Sequence, residues 1–183
     1  MEISKTLLVT KREAWRRWLE RHHAKEREIW LIYFKKHSGR VRIPYNDAVE
    51  EALCFGWIDS TVKRIDEDRV CQRFSPRRKG SQLSELNKER IRGLIRTGLM
   101  TEAGMKAISH HSIDDKFALP EDILAEIRKD EEAWKNFQKF PEHYKRIRTA
   151  FIDDSRERPE MFQRRLAYFL KMTKKNKRFG MMQ

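Results

Sequence analysis

The chain has 183 residues, a formal net charge of +13, 38% charged residues and 39% hydrophobic ones. That length accommodates one domain, or one domain with a small appendage. No apolar run approaches the ~18 residues needed to cross a bilayer as a helix, so no membrane-spanning helix is expected.

The charge is concentrated in two places. Arg69–Arg96 holds nine Lys or Arg against Glu85 and Glu89, and Arg164–Arg178 holds seven with no acid. Such clusters attract anions, nucleic acid and acidic surfaces included. The competing reading is two solvated helix faces. Cys54 and Cys71 have neither metal-ligand spacing nor the pattern of a disulfide framework. Met1 to Lys5 lacks the charged-then-apolar plan of a signal peptide, so a cytoplasmic protein is expected.

In chain order, Thr10 and Glu13 fit a capping box, and Trp15, Trp18, Leu19 and His22 share one face, which predicts a helix over Lys11–His23. Ile29–Phe34 is apolar throughout and too short for a helix, so a strand covered on both faces is expected. Arg40–Ile43 is expected as its short partner, ended by Pro44. Tyr45, Ala48, Val49, Ala52 and Leu53 form a helical stripe closed by Gly56, with Glu50-Glu51 on its solvated side. Trp57–Arg64 and Arg69–Ser75 flank Ile65–Asp68 as a hairpin. Ser81 or Ser84 caps the next helix, which Gly98 closes. A short helix is expected over Thr101–Ser109. Beyond it, four apolar stripes, built on Ile123, Trp134, Tyr144 and Phe162, predict a small helical bundle with a Lys-rich end.

The fold expected is α+β: a small, mostly antiparallel N-terminal sheet packed with helices over residues 1–112, then a helical module over 113–183. The residues that carry chemistry cluster on the hairpin and the turn after it. Arg73, Arg77 and Arg78 supply guanidinium forks for carboxylate or phosphate, and Ser81, Ser84 and Asn87 add donors beside a helix start. Trp57, Asp59, Lys63 and Phe74 complete the candidate ligand cleft. The competing reading has the serines capping, Asn87 fastening a turn and the arginines lying along aromatic faces. Asp59 against an aromatic wall is the one candidate acid or base; alternatively it pairs with Arg73 across the hairpin. Cys54, at a helix end between Leu53 and Phe55, is expected to be a buried, inert thiol. The adjacent pairs His22-His23 and His110-His111 offer no metal spacing, so neither metal nor cofactor is expected.

The run Ala52-Leu-Cys-Phe-Gly-Trp-Ile-Asp59, followed by Arg73-Phe-Ser-Pro-Arg-Arg78, Ser81, Ser84 and Asn87, resembles the YdeI/OmpD-associated family, also called bacteriocin-protection proteins. The likeness extends upstream through Trp15, Trp18 and Tyr45 and downstream to Gly98 and Met100, covering about the first 105 residues. More loosely, Leu119-Pro120, Ala133, Phe137 and Arg165 resemble that family's C-terminal module. The chain departs from the family at Ser60, Leu83 and Phe151–Asp154. The resemblance implies a role in envelope stress and resistance to antimicrobial peptides, without an established reaction.

Together these readings predict a non-enzymatic cytoplasmic protein that binds a small anionic or peptide ligand in the Trp57/Asp59/Arg73 cleft. The alternative is a nucleic-acid-binding protein that uses both basic clusters, with Arg164–Arg178 also able to meet acidic surfaces non-specifically. A third reading is an enzyme with Asp59 as acid or base.

Overall fold

The computed structural model of the protein describes residues 2–114 and 117–180. The chain divides into two compact units, Met1–Gln82 with Arg90–Ile113 and Leu83–Glu89 with Asp114–Gln183. The fold is α+β, with a four-stranded sheet in the first unit and helices in the second.

The sheet of the first unit comprises β1 (Thr6–Leu7), β2 (Ile29–Phe34), β3 (Trp57–Arg64) and β4 (Arg69–Pro76), in the order β1-β2-β4-β3. β2 and β3 both run antiparallel to β4, whereas β1 runs parallel to β2. Arg40–Ile43, expected as a partner strand, is not a strand; it follows a 3-10 turn over Lys36–Ser38. The place beside β2 is taken instead by β1, two residues too short to leave a pattern in the sequence. At the hairpin turn, Asp66 Oδ1 accepts from the amides of Asp68 and Arg69 at 3.0 and 2.7 Å, as an Asx turn does.

Helices α1 (Arg12–His22) and α2 (Tyr45–Cys54) cover one face of this sheet. Trp15 and Trp18 sit three residues apart on α1; their rings meet Phe74 edge-on at 5.5 Å and Trp57 at 5.9 Å. Each aromatic body fills the core while its polar atom finds a carbonyl. Trp15 Nε1 donates to Ala48 O at 3.0 Å and Trp57 Nε1 to His23 O at 3.1 Å. The capping box expected at Thr10 does not form: Lys11 is the N-cap and no side chain caps that end.

Glu51, expected to be solvated, is only 2% exposed. Its carboxylate is held by Arg12 Nε at 2.5 Å and Arg16 Nη1 at 2.8 Å, so α1 and α2 are joined by a charge that two guanidiniums satisfy. The C-terminal end of α2 is satisfied by α4 (Glu102–Ile108): Cys54 O accepts from the Thr101 amide at 3.1 Å and from its hydroxyl at 2.5 Å. The same hydroxyl caps α4 by accepting from Gly104 N. α3 (Glu85–Arg96) contributes its first turns to the second unit and its remainder to the first.

The second unit is built from α5 (Glu121–Arg128), α6 (Glu131–Lys139), α7 (Glu142–Asp153) and α8 (Pro159–Lys174). Its core gathers Ile123, Ile127, Phe137, Tyr144, Leu166 and Phe169, which come from all four predicted stripes. Asp130 caps α6 through the Ala133 amide at 3.0 Å and pairs with Lys174 at 2.7 Å. Asn136 Nδ2 closes the far end of α8 on the carbonyls of Thr173 and Lys174.

Two glycines in the first unit separate close packing from helix propensity. A Cβ on Gly104 would come 2.2 Å from Cys54 O, whereas one on Gly93 would meet nothing within 4 Å. Gly104→Ala is therefore expected to destabilise by ~1–3 kcal/mol. Gly93→Ala is expected to stabilise by ~0.5–1 kcal/mol. Urea unfolding of the two variants checks the opposite signs.

Candidate functional site

The residues that the sequence gathers around the hairpin separate in the structure. Asp59 lies opposite Phe74 on β4, one residue from Arg73, and side chains alternate across a strand. Asp59, Trp57 and Phe74 therefore face the helices, while Lys63 and Arg73 face the other way. Trp57 and Phe74 are 1% and 0% exposed, so both belong to the core and line no cleft. The expected Asp59–Arg73 pair is absent. Asp59 Oδ2 instead accepts from Tyr45 OH at 2.7 Å and Gln72 Nε2 at 2.6 Å.

Arg73 has a different acid. Its Nε lies 2.6 Å from Glu28 Oε2, and Nη1 reaches Ser75 and Ser60 at 3.2 and 3.4 Å. Hydrogen bonds from Ser4 and Arg73 hold the Glu28 carboxyl below its ordinary range. Lys63 Nζ sits 5.8 Å from the Trp30 ring on the same side.

The turn beyond β4 is braced from within. Arg77 Nη2 donates to the carbonyls of Ser81 and Gln82, and Ser81 Oγ donates to Arg78 O at 2.8 Å. Arg78 is exposed. Ser84 Oγ accepts from Asn87 N at 3.3 Å at the start of α3, as an N-cap does. Ser84 and Asn87 group with the second unit and the other eight candidates with the first. Ser84 caps a helix as the competing reading expected, whereas Ser81 bonds back to Arg78 and Arg77 braces its own turn instead of lying along a ring.

A different group of arginines lies in the second unit. A cavity of about 460 Å³ is lined by Arg148 of α7 and by Arg164 and Arg165 of α8. Ile152, Met161 and four aromatic rings make up the rest of its wall. Arg148 is 7% exposed, and its Nε is buried without a hydrogen-bond partner. Among the described residues no carboxylate pairs with it. Rings surround it instead, with the guanidinium carbon 5.2 Å from Phe179, 5.7 Å from Phe151 and 5.8 Å from Tyr144. Burial pulls the Arg148 pKa below its ordinary value.

The pocket has a definite construction. Arg165 stacks on Phe151 at 3.6 Å and donates Nη1 to the Phe151 carbonyl. Phe179 is fixed through its amide to Tyr144 OH at 3.1 Å and stands edge-on to Tyr168 at 4.8 Å. Gly180 follows at φ +96°, and a Cβ there would lie 2.6 Å from the Arg148 guanidinium. Phe151 and Tyr168 are 44% and 49% exposed, so aromatic surface stays open at the rim. The sequence carried one signal of this site. Arg148 sits on the stripe of Tyr144 and Phe151, four residues after one and three before the other, where a charge is out of pattern.

Among the described residues, no group of three or more His, Cys, Asp or Glu is placed to hold a metal ion. No described helix is long and apolar enough to cross a membrane. Cys54 is a buried free thiol, which burial pushes up to about 11.

Residues 7–107 match the family described as Domain of unknown function (DUF8412). The chain belongs to that family. Residues 116–176 match the family described as Bacteriocin-protection, YdeI or OmpD-Associated. No curated protein and no solved structure matches the chain.

The resemblance read from the sequence is thus borne out, but in the other part of the chain. The Bacteriocin-protection, YdeI or OmpD-Associated match falls on the helical module, where the likeness was looser, and the motif-bearing part falls under DUF8412. The C-terminal match supports a bacteriocin-protection-related function. It also covers every pocket residue except Phe179.

In the DUF8412 part, the Tyr45 phenol is pushed up to about 12, by burial first and then by its hydrogen bond to Asp59. Tyr33, whose hydroxyl is buried without a partner, is raised by burial too. A phenol raised above its unfolded value of ~10 contributes stability that is intact below that pH and lost as pH climbs through the folded pKa. Stability is therefore expected to decline between about pH 10 and 12, and Tyr45→Phe to make the decline shallower. Urea unfolding at stepped alkaline pH measures it; an unaltered slope in the variant would contradict the buried phenol.

Proposed function

We propose that this is a ligand-binding protein of the bacteriocin-protection type, working without chemical turnover, and that its ligand is a small anion held in the arginine–aromatic pocket of the C-terminal module. The observation that carries this reading is Arg148. A buried charge is costly unless it is paired and hydrogen-bonded, and among the described residues the Arg148 Nε has rings around it but no acceptor. An anion entering the cavity would supply the missing acceptor. Arg164 and Arg165 stand beside it to add positive potential.

This moves the ligand site away from the hairpin. Arg73 is already paired with Glu28, and Arg77 is spent on its own turn. The cavity volume lies within the usual range for small-molecule sites, ~300–1,000 Å³. The basic run Arg164–Arg178 supplies two of the three pocket guanidiniums, which gives part of that cluster a use other than nucleic acid. Non-specific attraction of polyanions by its remaining lysines would collapse between ~50 and ~200 mM salt.

A thermal-shift screen of inorganic phosphate, nucleotides, sugar phosphates and organic acids tests the proposal. A ligand at 100 times its Kd is expected to add ~2.7 kcal/mol of stability. The shift should vanish in Arg148→Met and persist in Arg73→Ala. Loss in Arg73→Ala with retention in Arg148→Met would return the site to the hairpin.

A further inference from the structure

We infer that the pocket selects a monocarboxylate with an apolar body, of aryl or medium-chain acyl size, rather than a phosphate ester. This inference rests on the anion-binding reading of the same cavity and names the class of its ligand.

Two of the three guanidiniums lie over rings, the carbon of Arg165 3.6 Å from the centre of Phe151 and that of Arg148 5.2 Å from the centre of Phe179. Stacking consumes the face of a guanidinium and leaves its in-plane N–H edge, and that edge matches the two oxygens of a planar carboxylate. Arg165 has already given one N–H to the Phe151 carbonyl, so the donors left converge from few directions. A phosphate ester carries a higher charge and three acceptor oxygens, and needs donors on several sides. Ile152, Phe169 and Met161 supply none from theirs. These walls instead suit a hydrocarbon body, Met161 being the residue able to adjust to its shape. The open rings of Phe151 and Tyr168 extend the same apolar surface to the entrance.

The ligand is thus an amphiphile whose head is fixed at Arg148 and whose body lies along α8. Chain length should then matter as much as charge. Each methylene taken out of water is expected to tighten binding about four-fold until the cavity is full.

Calorimetric titration of the full chain with hexanoate, octanoate, decanoate and phenylacetate, set against octanol, phenyl phosphate and inorganic phosphate, tests this. The acids are expected to bind, with octanoate ahead of octanol by about ten-fold or more, the equivalent of one charge-assisted pair. Arg148→Met should fold, because an apolar isostere relieves the buried charge, and should bind octanoate no better than octanol. The octanoate–octanol comparison in the unaltered protein holds whatever that variant does. Equal affinity for octanoate and octanol would overturn the inference. Phenyl phosphate binding more tightly than the acids would overturn the ligand class while leaving an anion pocket in place. No response to any acid or phosphate would remove the pocket reading along with it.

Discussion

The antiparallel register that sets Asp59 opposite Phe74 decides which side chains of the N-terminal unit can meet. Because strand residues alternate, a shift of one position changes the face of every side chain. In this register Trp57 and Phe74 go to the helices, where Trp18 and Trp15 receive them. Asp59 goes with them and finds Tyr45 and Gln72. Arg73 is sent to the opposite side, where Glu28 neutralises it. A cluster of potentially reactive residues adjacent in sequence becomes a set of separate structural fastenings.

Much of the architecture was legible in the chain. A six-residue apolar run has few ways to be buried except as a strand, and stripes at helical spacing commit a segment to one packed face. Boundaries that rest on a single polar contact were less legible. The cap at α1 needed only Thr10 and Glu13 in the right places, yet Lys11 occupies it. β1 is two residues long and exists because β2 offers an open edge, a fact that local sequence does not contain.

The candidate site was less legible still, because charge partners are chosen by tertiary structure. Glu28 lies 45 positions from Arg73, and Glu51 lies 39 from Arg12. Neither separation leaves a periodic trace. Arg148 is the opposite case. A charged residue placed on an apolar stripe is a local anomaly, and it can be noticed without coordinates. Net charge is dense around Arg73–Lys79, on β4 and in the turn beyond it. Burial selects a different arginine, one with no acid beside it among the described residues.

The distribution of sulfur has a practical consequence. The chain has two cysteines, both free and fully buried, and both fall in the N-terminal unit. An alkylating reagent can modify them only after that unit opens, since access as well as thiolate character sets the rate. Labelling kinetics would therefore time the opening of the sheet and its covering helices, while the helical module stays silent to the same reagent.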